Sequence, residues 1–292
     1  MSVSSHTTFL GRAGRIVTLL LFAVLFGYPL ITFLTVAFRS DDGSGMLGDP
    51  SLGNVWGSGQ TLLAFNNGVF LNWLQNSLIV AVGGSLLTVL VSLPAGYALA
   101  RLHFRGRRTL RFLTLLMMVI PNSVLVIPIY LEVSAIGAVN NIWVVATLMG
   151  FYPFGVYLAY IHFKTTLPTA MIEAARIDGL SEVPIFMKIA LPISKQAIAL
   201  VGFFSFVANW TNYFLPLVLL PLSDSATVSV GLQQLVSSSP QFDPTNAAGL
   251  DVRLYTPQLA LAALVTIVPV LVVFVVAQRY LIRGQTLGAV KG

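Results

Sequence analysis

The sequence predicts an all-α membrane protein with six transmembrane helices, and its composition, long apolar segments and charge distribution all favour that fold class. Hydrophobic residues make up 56% and charged residues only 9% of the 292 residues, against roughly 45–50% and about 25% in soluble domains. A water-soluble fold with so few charges would leave apolar side chains facing water. A bilayer core is itself apolar, so we expect a single transmembrane domain over residues 1–292.

Six segments are long enough to cross a membrane. Each is close to the roughly 20 residues that a helix rising about 1.5 Å per residue needs to cross about 30 Å of hydrocarbon. Prolines inside them are tolerated because neighbouring helices and hydroxyl side chains satisfy the freed carbonyl groups. The predicted spans are residues 16–38, 77–100, 112–133, 141–163, 196–221 and 258–281.

The first predicted span follows Arg12 and Arg15, as the core of a signal peptide follows basic residues. Its apolar run of about 23 residues exceeds the roughly 7–15 residues of a signal core, and no small-residue cleavage site follows. We therefore expect a retained membrane anchor. The sequence has no cysteine, which excludes disulfide bonds and thiolate metal sites.

Positively charged residues are sorted between the predicted loops. If the N-terminus lies inside, only Arg39 and Arg253 of the 16 Lys and Arg residues fall on the outer side. Loops rich in Lys and Arg stay in the cytoplasm during insertion, so both termini are predicted to be cytoplasmic. The basic segment 101–111 is then a topology signal that can touch anionic headgroups. Residues 39–76 and 222–257, rich in Gly, Ser, Asn and Pro, are expected to form outer surface loops.

The inner loop between the fourth and fifth spans, residues 164–195, is too long for a plain hairpin. Pro168 and Gly179 stand where proline and glycine are favoured at the start and just past the end of a helix. Ser181 could cap a second short helix that stops before Pro192. This loop is therefore predicted to contain two short helices.

Small and apolar residues recur along one face of the first of these helices. Ala170, Ala174 and Ile177 are spaced at i, i+4 and i+7, and Glu173 and Arg176 can pair on the polar side. A helix with alanines on one face can sit close to a groove of another protein. Periodicity alone leaves a second interpretation open, which is an amphipathic helix lying at the lipid headgroups.

The spacing of residues in this loop resembles that of a known family. Glu173-Ala174-Ala175, three residues, Gly179, nine residues and Ile189-Ala190-Leu191-Pro192 resemble the EAA loop of bacterial ABC-importer permeases. Residues 278–292 are similar to the tail of the carbohydrate-uptake permeases, specifically the maltose-type second subunit. Asn76-Ser77-Leu78 and Gly96-Tyr97-Ala98-Leu99-Ala100-Arg101 are also typical of that group.

The resemblance implies the type I ABC-importer permease fold, with a cytoplasmic coupling helix between transmembrane helices 4 and 5. It implies a bacterial cytoplasmic membrane and the partners of such a chain: a second homologous permease subunit, two ATPase subunits and an extracellular solute-binding protein. ATP binding would close the ATPases, move the coupling helices and switch the channel from inward- to outward-facing. ATP and Mg²⁺ would bind to the ATPase, so this chain would hold no cofactor and would not be an enzyme.

The resemblance also assigns roles to residues in the inner loop and in the tail, residues 282–292. The loop residues implied to couple to the ATPase are Glu173, Ala174, Ala175, Asp178, Gly179, Ile189, Leu191 and Pro192. The tail residues implied to reach along the ATPase interface are Thr286, Gly288, Ala289 and Lys291. The alternative for the tail is a flexible basic end.

Motifs of other functions are absent from the sequence. It contains no Gly-x-x-x-x-Gly-Lys-Ser/Thr phosphate loop, no His-Glu-x-x-His and no Gly-x-Ser-x-Gly. His6, His103 and His162 are far apart in the sequence, so no metal site is predicted from them. The net charge of +6 does not indicate nucleic-acid binding because no soluble domain is predicted to present it.

The most polar segment inside a predicted span is residues 209–213. Amides can hydrogen-bond to sugar hydroxyls, and aromatic rings can cover the C–H face of a sugar. The same side chains can instead join helices inside the membrane. The candidate substrate-pathway residues are Asn209, Trp210, Asn212 and Tyr213, with Asn122 and Ser123 of the third span as a weaker pair.

The resemblance and the residues together predict a permease subunit that translocates a sugar or oligosaccharide by alternating access. Importers of this kind also carry peptides, phosphate or polyamines, and that alternative stays open. A stand-alone channel or an ion-coupled carrier is a further alternative. It has less support because the middle of the predicted spans holds no charged residue.

Overall fold

The structure, a computed structural model, describes residues 9–40, 48–242 and 253–286. All regular elements in these ranges are helices, which confirms the all-α prediction. A 3₁₀ turn at Phe65–Gly68, another at Ser223–Ser225 and a π-helical turn at Phe186–Ala190 accompany the α-helices. The α-helices are α1 (Phe9–Ala37), α2 (Leu52–Ala64), α3 (Val69–Arg101), α4 (Arg107–Val119), α5 (Asn122–Ala135), α6 (Ile142–Met149), α7 (Pro153–Thr166), α8 (Thr169–Ile177), α9 (Glu182–Ile185), α10 (Leu191–Ile193), α11 (Lys195–Trp210), α12 (Phe214–Leu219), α13 (Val228–Ser237) and α14 (Thr256–Thr286).

Four helical stretches of the described chain are long and apolar enough to cross a membrane, and the number rises to six if two sharply bent helix pairs each count as one span. The four are Gly14–Ala37, Leu52–Arg101, Ile142–Thr166 and Thr256–Tyr280, which overlap the first, second, fourth and sixth predicted spans. The third predicted span is broken, because α4 and α5 are bent by 101°. The bend lies at Ile120, which is extended (ψ 121°) as residues before a proline usually are, and Pro121 follows.

The fifth predicted span, residues 196–221, also contains a break. α11 ends at Trp210 and α12 begins at Phe214. On its other side, α11 is bent by 79° from the helical segment Glu182–Ile193 of the inner loop. The loop therefore runs into α11 with only Ser194 between the two helical segments.

The predicted outer loops are helical in part. α2 and the start of α3 lie within residues 39–76, and α13 lies within 222–257, so these segments between predicted spans contain helices that the sequence analysis did not predict. Ser51 caps α2 by accepting a hydrogen bond from the Asn54 amide at 3.2 Å. Asn66 and Asn67, at φ 46° and 56°, form the turn after α2. Turn-forming residues thus end a helix here and do not exclude one.

The described residues form two compact units. One lies within residues 1–68 and 234–265, and the other within residues 69–233 and 266–292. In the first unit, Asn54 Nδ2 donates hydrogen bonds to Phe38 O at 3.2 Å and Asp49 O at 2.9 Å. These bonds join the end of α1 to α2. The loop and pathway candidates that the structure describes lie in the second unit.

A stripe of small residues on α3 lets α6 and α7 approach closely in the second unit. Gly84, Thr88, Ser92 and Gly96 recur every four residues and so share one face of α3. Thr88 Oγ1 donates to Gly150 O at 3.1 Å. A Cβ on Gly96 would lie 2.7 Å from Tyr160 N. Close backbone packing through small residues is a common way for membrane helices to associate.

One hydrophobic cluster joins the inner loop to the ends of α3 and α7. Its buried members include Tyr97 of α3, Phe163 of α7 and Ile172 of α8, together with Ile185 and Ala190 of the loop. The Tyr97 and Phe163 rings meet edge to face at 5.6 Å. The loop is therefore packed onto the transmembrane helices as part of the same core.

The Asn76-Ser77 pair of α3 organises the segment before α13. Asn76 Nδ2 donates to Asp224 O at 2.8 Å and Ala226 O at 3.0 Å, and Ser77 Oγ accepts from the Val228 amide at 2.7 Å. The serine thereby satisfies a free amide at the start of α13. These contacts give a structural role to residues that the sequence singled out by resemblance alone.

Candidate functional site

Helix α8 carries the first half of the predicted coupling loop. It begins after Pro168 and ends in a Schellman motif, in which Gly179 N donates to Arg176 O and Leu180 N to Ala175 O, both at 3.0 Å. Gly179 has φ +81°, a left-handed conformation that favours glycine. The proline–glycine boundaries predicted from the sequence are confirmed, and the chain reverses at Gly179.

The two faces of α8 have different surroundings. Ile172 and Ala175 are buried in the hydrophobic cluster, so Ala175 packs inside this chain. On the opposite face, Ile177 is 85% exposed, and Met171, at the edge of the buried face one turn before Ala175, is also exposed. Glu173, Ala174, Asp178 and Gly179 are exposed as well. The outward face of α8 is thus apolar at its centre, with acidic residues beside it.

Arg176 links α8 to α9. Its Nε lies 2.7 Å from Glu182 Oε1, and this ion pair takes the place of the Glu173–Arg176 pair that the sequence suggested. The hydrogen bond to Glu182 raises the pKa of the Arg176 guanidinium. Glu182 also accepts a hydrogen bond from Tyr97 OH at 3.2 Å. The Gly179 reversal brings Glu182 next to Arg176, so the direct ion pair forms with Glu182, while the nearby Glu173 carboxylate also raises the pKa of Arg176.

The second half of the loop is helical but does not stop before Pro192. Ser181 stands at the N-cap of α9, although its side chain makes no capping hydrogen bond. The π-helical turn Phe186–Ala190 follows, with Leu191 N donating to Phe186 O, and α10 continues through Pro192 to Ile193. A π turn admits an extra residue into the helix. Ile189 and Leu191 are half-buried, and Pro192 is exposed.

The guanidinium of Arg101 fastens the start of this loop. It donates to the Phe163 carbonyl through Nε at 3.0 Å and Nη2 at 2.8 Å, and also to the Lys164 and Leu167 carbonyls. Nη1 donates to Thr169 Oγ1 at 2.9 Å. The carbonyls at the end of α7 lack helical partners, so Arg101 satisfies them while holding the first residue of α8.

The tail residues fall almost entirely beyond the described chain. Gly288, Ala289 and Lys291 lie outside the described residues, and of Thr286 only its place at the end of α14 is described. The tail role stays a prediction.

The polar pathway candidates come together in one cavity. Asn122 and Ser123 of α5 line it with Asn209 of α11 and Asn212 after α11, in a volume of about 150 Å³. Asn209 is 6% exposed, and its Nδ2 has no hydrogen-bond partner among the described residues. A buried amide donor without a partner is costly unless a ligand or water satisfies it.

The two aromatic candidates do not line this cavity. Trp210 is buried, and its Nε1 donates to Thr266 O of α14 at 3.1 Å, so it joins helices within the second unit. Tyr213 packs edge to face on Phe214 at 5.4 Å. The sequence left substrate contact and helix packing open for this segment, and the structure divides the segment between the cavity and helix packing.

Sequence reasoning missed two residues of the loop site. Arg101 was assigned to the topology signal and to a motif typical of the resembling permeases, and no local pattern reveals that it folds back onto α7. Ile177 was noted only as part of the apolar face of α8. An isoleucine directly before an Asp-Gly helix end, where a charged residue is usual, was a signal for an exposed apolar contact.

Comparison with known proteins identifies relatives along nearly the whole chain. Residues 92–286 match the family described as binding-protein-dependent transport system inner membrane component. The chain is 30% identical over 276 residues to the maltodextrin transport system permease protein MdxG of Bacillus subtilis (strain 168), with 94% of each chain covered. It is 29% identical over 270 residues to the arabinooligosaccharides transport system permease protein AraQ of Halalkalibacterium halodurans, with 91% of each covered.

A solved structure has the same fold. It is a chain of a bacterial ABC transporter involved in the import of the acidic polysaccharide alginate, with a TM-score of 0.75 and 23% sequence identity. The match covers 96% of this chain and 99% of that chain. At this identity the likeness concerns the fold alone.

Proposed function

The chain belongs to the family of binding-protein-dependent transport system inner membrane components, and we propose that it is a permease subunit of an ABC importer that takes up a sugar or oligosaccharide. The assignment of a sugar cargo rests on relatives of matching length, which are named for transport of maltodextrin and of arabinooligosaccharides. The cavity that Asn209 lines is mostly apolar, and its amide and hydroxyl side chains (Asn122, Ser123, Asn209 and Asn212) can hydrogen-bond to a cargo rich in hydroxyl groups.

Helix α8 is the proposed coupling helix. Its outward face presents Ile177 as an exposed apolar side chain, with the exposed Met171 at the edge of that face, and such residues mark protein contacts. Glu173, Ala174 and Asp178 surround them. A partner ATPase would receive this face, while Ala175 supports it from inside. The proposed interface is therefore narrower than the set of loop residues that the resemblance implies.

Movement of α8 would reach the membrane through two contacts with α3. Arg101 holds Thr169 at the start of α8, and Tyr97 holds Glu182 just after its end. Both donors lie on the last turns of α3. A displacement of α8 by ATP-driven closure of the ATPases would therefore pull on α3 and on the small-residue face that packs against α7.

The cavity at Asn209 is the proposed site where this chain touches its cargo. Its volume of about 150 Å³ is below the roughly 300–1,000 Å³ of typical ligand pockets. It is too small for an oligosaccharide, so it forms one wall of a pathway that a second homologous permease completes. Asn122, Ser123 and Asn209 would supply hydrogen bonds to hydroxyl groups.

The energy source and the remaining partners follow from the same proposal. Two ATPase subunits would bind ATP and Mg²⁺, since the sequence has no phosphate loop. An extracellular solute-binding protein would deliver the cargo to the outer face. The distribution of Lys and Arg favours a bacterial cytoplasmic membrane location with both termini inside. In this arrangement the chain forms a single permease domain with six spans and performs no catalysis.

Affinity purification from the native membrane, followed by mass spectrometry, tests the proposal. We expect a second permease and an ATPase with a phosphate loop to co-purify, together with a sugar-binding protein. If the co-purified binding protein binds peptide or phosphate, the cargo is that solute and not a sugar. Recovery of this chain alone, active in liposomes without ATP, would contradict the ABC-importer mechanism and show that the chain works as a stand-alone carrier.

A further inference from the structure

We propose that a cleft between α4 and α7 binds the phosphate group of an anionic phospholipid. The cleft has a volume of about 380 Å³ and lies within the second unit. It combines cationic side chains with apolar ones, which is the surface that a lipid headgroup and the start of its acyl chains require. The lining residues used in the argument are Arg108, Arg111, Lys164, Tyr160, Phe112 and Leu115.

The positive charges of the cleft are not neutralised by protein carboxylates. Arg108, Arg111 and Lys164 line it, and none of its lining residues is acidic. The ion pair found in the described part of the chain joins other residues, in the inner loop. Three cations around one cleft therefore leave a local excess of positive charge that an anion can balance.

The side chain of Tyr160 contacts two of these cations. Arg111 Nη1 donates to Tyr160 OH at 3.1 Å, and its Cζ lies 5.8 Å from the ring centroid. Lys164 Nζ lies 5.6 Å from the same centroid. Both distances are within the range of cation–π attraction. Arg111 Nε is buried without a hydrogen-bond partner among the described residues, so no protein acceptor there offsets the charge of the guanidinium.

The cleft lies where the headgroup layer meets the hydrocarbon. Its cations stand within the first five residues of α4 and in the last turn of α7, at the ends that the Lys and Arg distribution assigns to the cytoplasm. Phe112 and Leu115 follow further along α4, toward the membrane interior, and both are exposed. Basic pockets between helices at this level bind anionic lipid headgroups.

Neighbouring arginines of the same basic segment have structural partners and serve as a contrast. Arg107 donates to Leu99 O and Ala100 O, each at 2.9 Å, and Arg101 fastens α7 to α8. Arg105 is exposed and does not line the cleft. The segment therefore divides into residues that stabilise helix ends and residues that face the cleft.

Native mass spectrometry of the purified transporter complex, titrated with phosphatidylglycerol or with phosphatidylcholine, tests this site. We expect phosphatidylglycerol to bind more tightly than phosphatidylcholine. The Arg108→Gln/Arg111→Gln variant should bind it about 25-fold more weakly, since each basic residue near a membrane surface contributes roughly fivefold. If that variant does not assemble, Arg108→Gln alone should weaken binding about fivefold.

Arg105→Gln is the matched control, because it removes a charge from the same segment without touching the cleft. It should leave lipid affinity unchanged. Equal losses in the control and in the cleft variant would overturn the proposal, since binding would then follow net charge alone. The proposal is also wrong if inorganic phosphate at millimolar concentration displaces phosphatidylglycerol, or if the assembled complex shows no preference between the two lipids.

Discussion

Arg101 Nη1 lies 2.9 Å from Thr169 Oγ1, so the last residue of α3 holds the first residue of α8. The same guanidinium satisfies carbonyl groups at the end of α7. A planar guanidinium offers five donors in a fixed fork, which an ammonium group cannot reproduce. This contact connects the proposed ATPase-binding helix directly to a membrane-spanning helix.

Arg101→Lys keeps the positive charge that orients the chain but removes the fork. Because charge-assisted hydrogen bonds contribute about 1.5–3 kcal/mol each, we expect a lower thermal midpoint of unfolding. Sugar uptake per ATP hydrolysed should fall roughly 5–150-fold, the usual size of a coupling between sites. Parallel uptake and ATPase assays in proteoliposomes measure this, and Arg105→Lys is the control. Unchanged coupling in Arg101→Lys would remove Arg101 from the mechanism.

Ile177→Asp tests the outward face of α8. The side chain is 85% exposed, so its replacement should leave the permease folded. Loss of a buried contact residue at an interface weakens binding by about 2 kcal/mol or more, roughly 30-fold. The ATPase should therefore no longer co-purify. Ile136→Asp, at a residue 76% exposed outside the loop, should retain it. Equal recovery of the ATPase from both variants would contradict the docking role.

Gly179→Val tests the reversal after α8. No atom lies within 4 Å of a Cβ at this position, so the effect comes from the backbone, whose φ is +81°. A left-handed conformation costs an L-residue about 1–2 kcal/mol. Insertion should persist while ATP hydrolysis becomes uncoupled from uptake. Gly106→Val is the matched control, because Gly106 also has a positive φ (+86°) and open space around it. It should lower stability but leave ATP hydrolysis coupled to uptake. Coupled transport in Gly179→Val would rule out the reversal as a coupling element.

Asn209→Leu tests the polar cavity. It removes an amide whose Nδ2 has no partner in the described chain, so stability should hold or rise, while the KM for sugar rises. A lost hydrogen bond to cargo is worth about 0.5–1.5 kcal/mol, or roughly 2–12-fold. Trp210→Phe is the contrast, since it loses the bond to Thr266 O and should lower the thermal midpoint without changing KM. The reverse pattern in these two variants would place cargo contact elsewhere.

Gly96→Ala tests the small-residue face of α3. The added methyl group would lie 2.7 Å from Tyr160 N, and overpacking of this kind costs about 1–3 kcal/mol. The thermal midpoint of the purified complex should therefore fall, and Gly96→Val should not assemble. Gly202→Ala, whose Cβ would lie 3.7 Å from Val89 Cγ2, should be tolerated. A fully stable Gly96→Ala variant would contradict the close packing of α3 on α7.

The helical class and the two boundaries of α8 could be predicted because they depend on local signals. Apolar length predicts a membrane helix, and Pro168 and Gly179 mark a helix by their own backbone preferences. The bend between α4 and α5 was not predicted, because proline is tolerated inside many membrane helices and only the surrounding packing decides whether it breaks one.

Long-range contacts account for what the sequence left out. The ion pair of Arg176 with Glu182 depends on the chain reversal, and the bonds of Arg101 reach about sixty residues along the chain. Likewise, Asn122 and Asn209 meet only because α5 and α11 face a common cavity. For the same reason the sequence could not decide whether residues 209–213 contact the cargo or pack helices together. No spacing rule distinguishes Asn209 from Trp210.

Uptake of radiolabelled oligosaccharide by proteoliposomes tests the central claim most directly. The vesicles would contain this chain with its co-purified partners, the binding protein outside and ATP inside, and maltodextrins and arabinooligosaccharides would be offered in turn. We predict uptake that requires both hydrolysable ATP and the binding protein and that Ile177→Asp abolishes. Uptake that proceeds equally without ATP, or with this chain alone, would contradict the account.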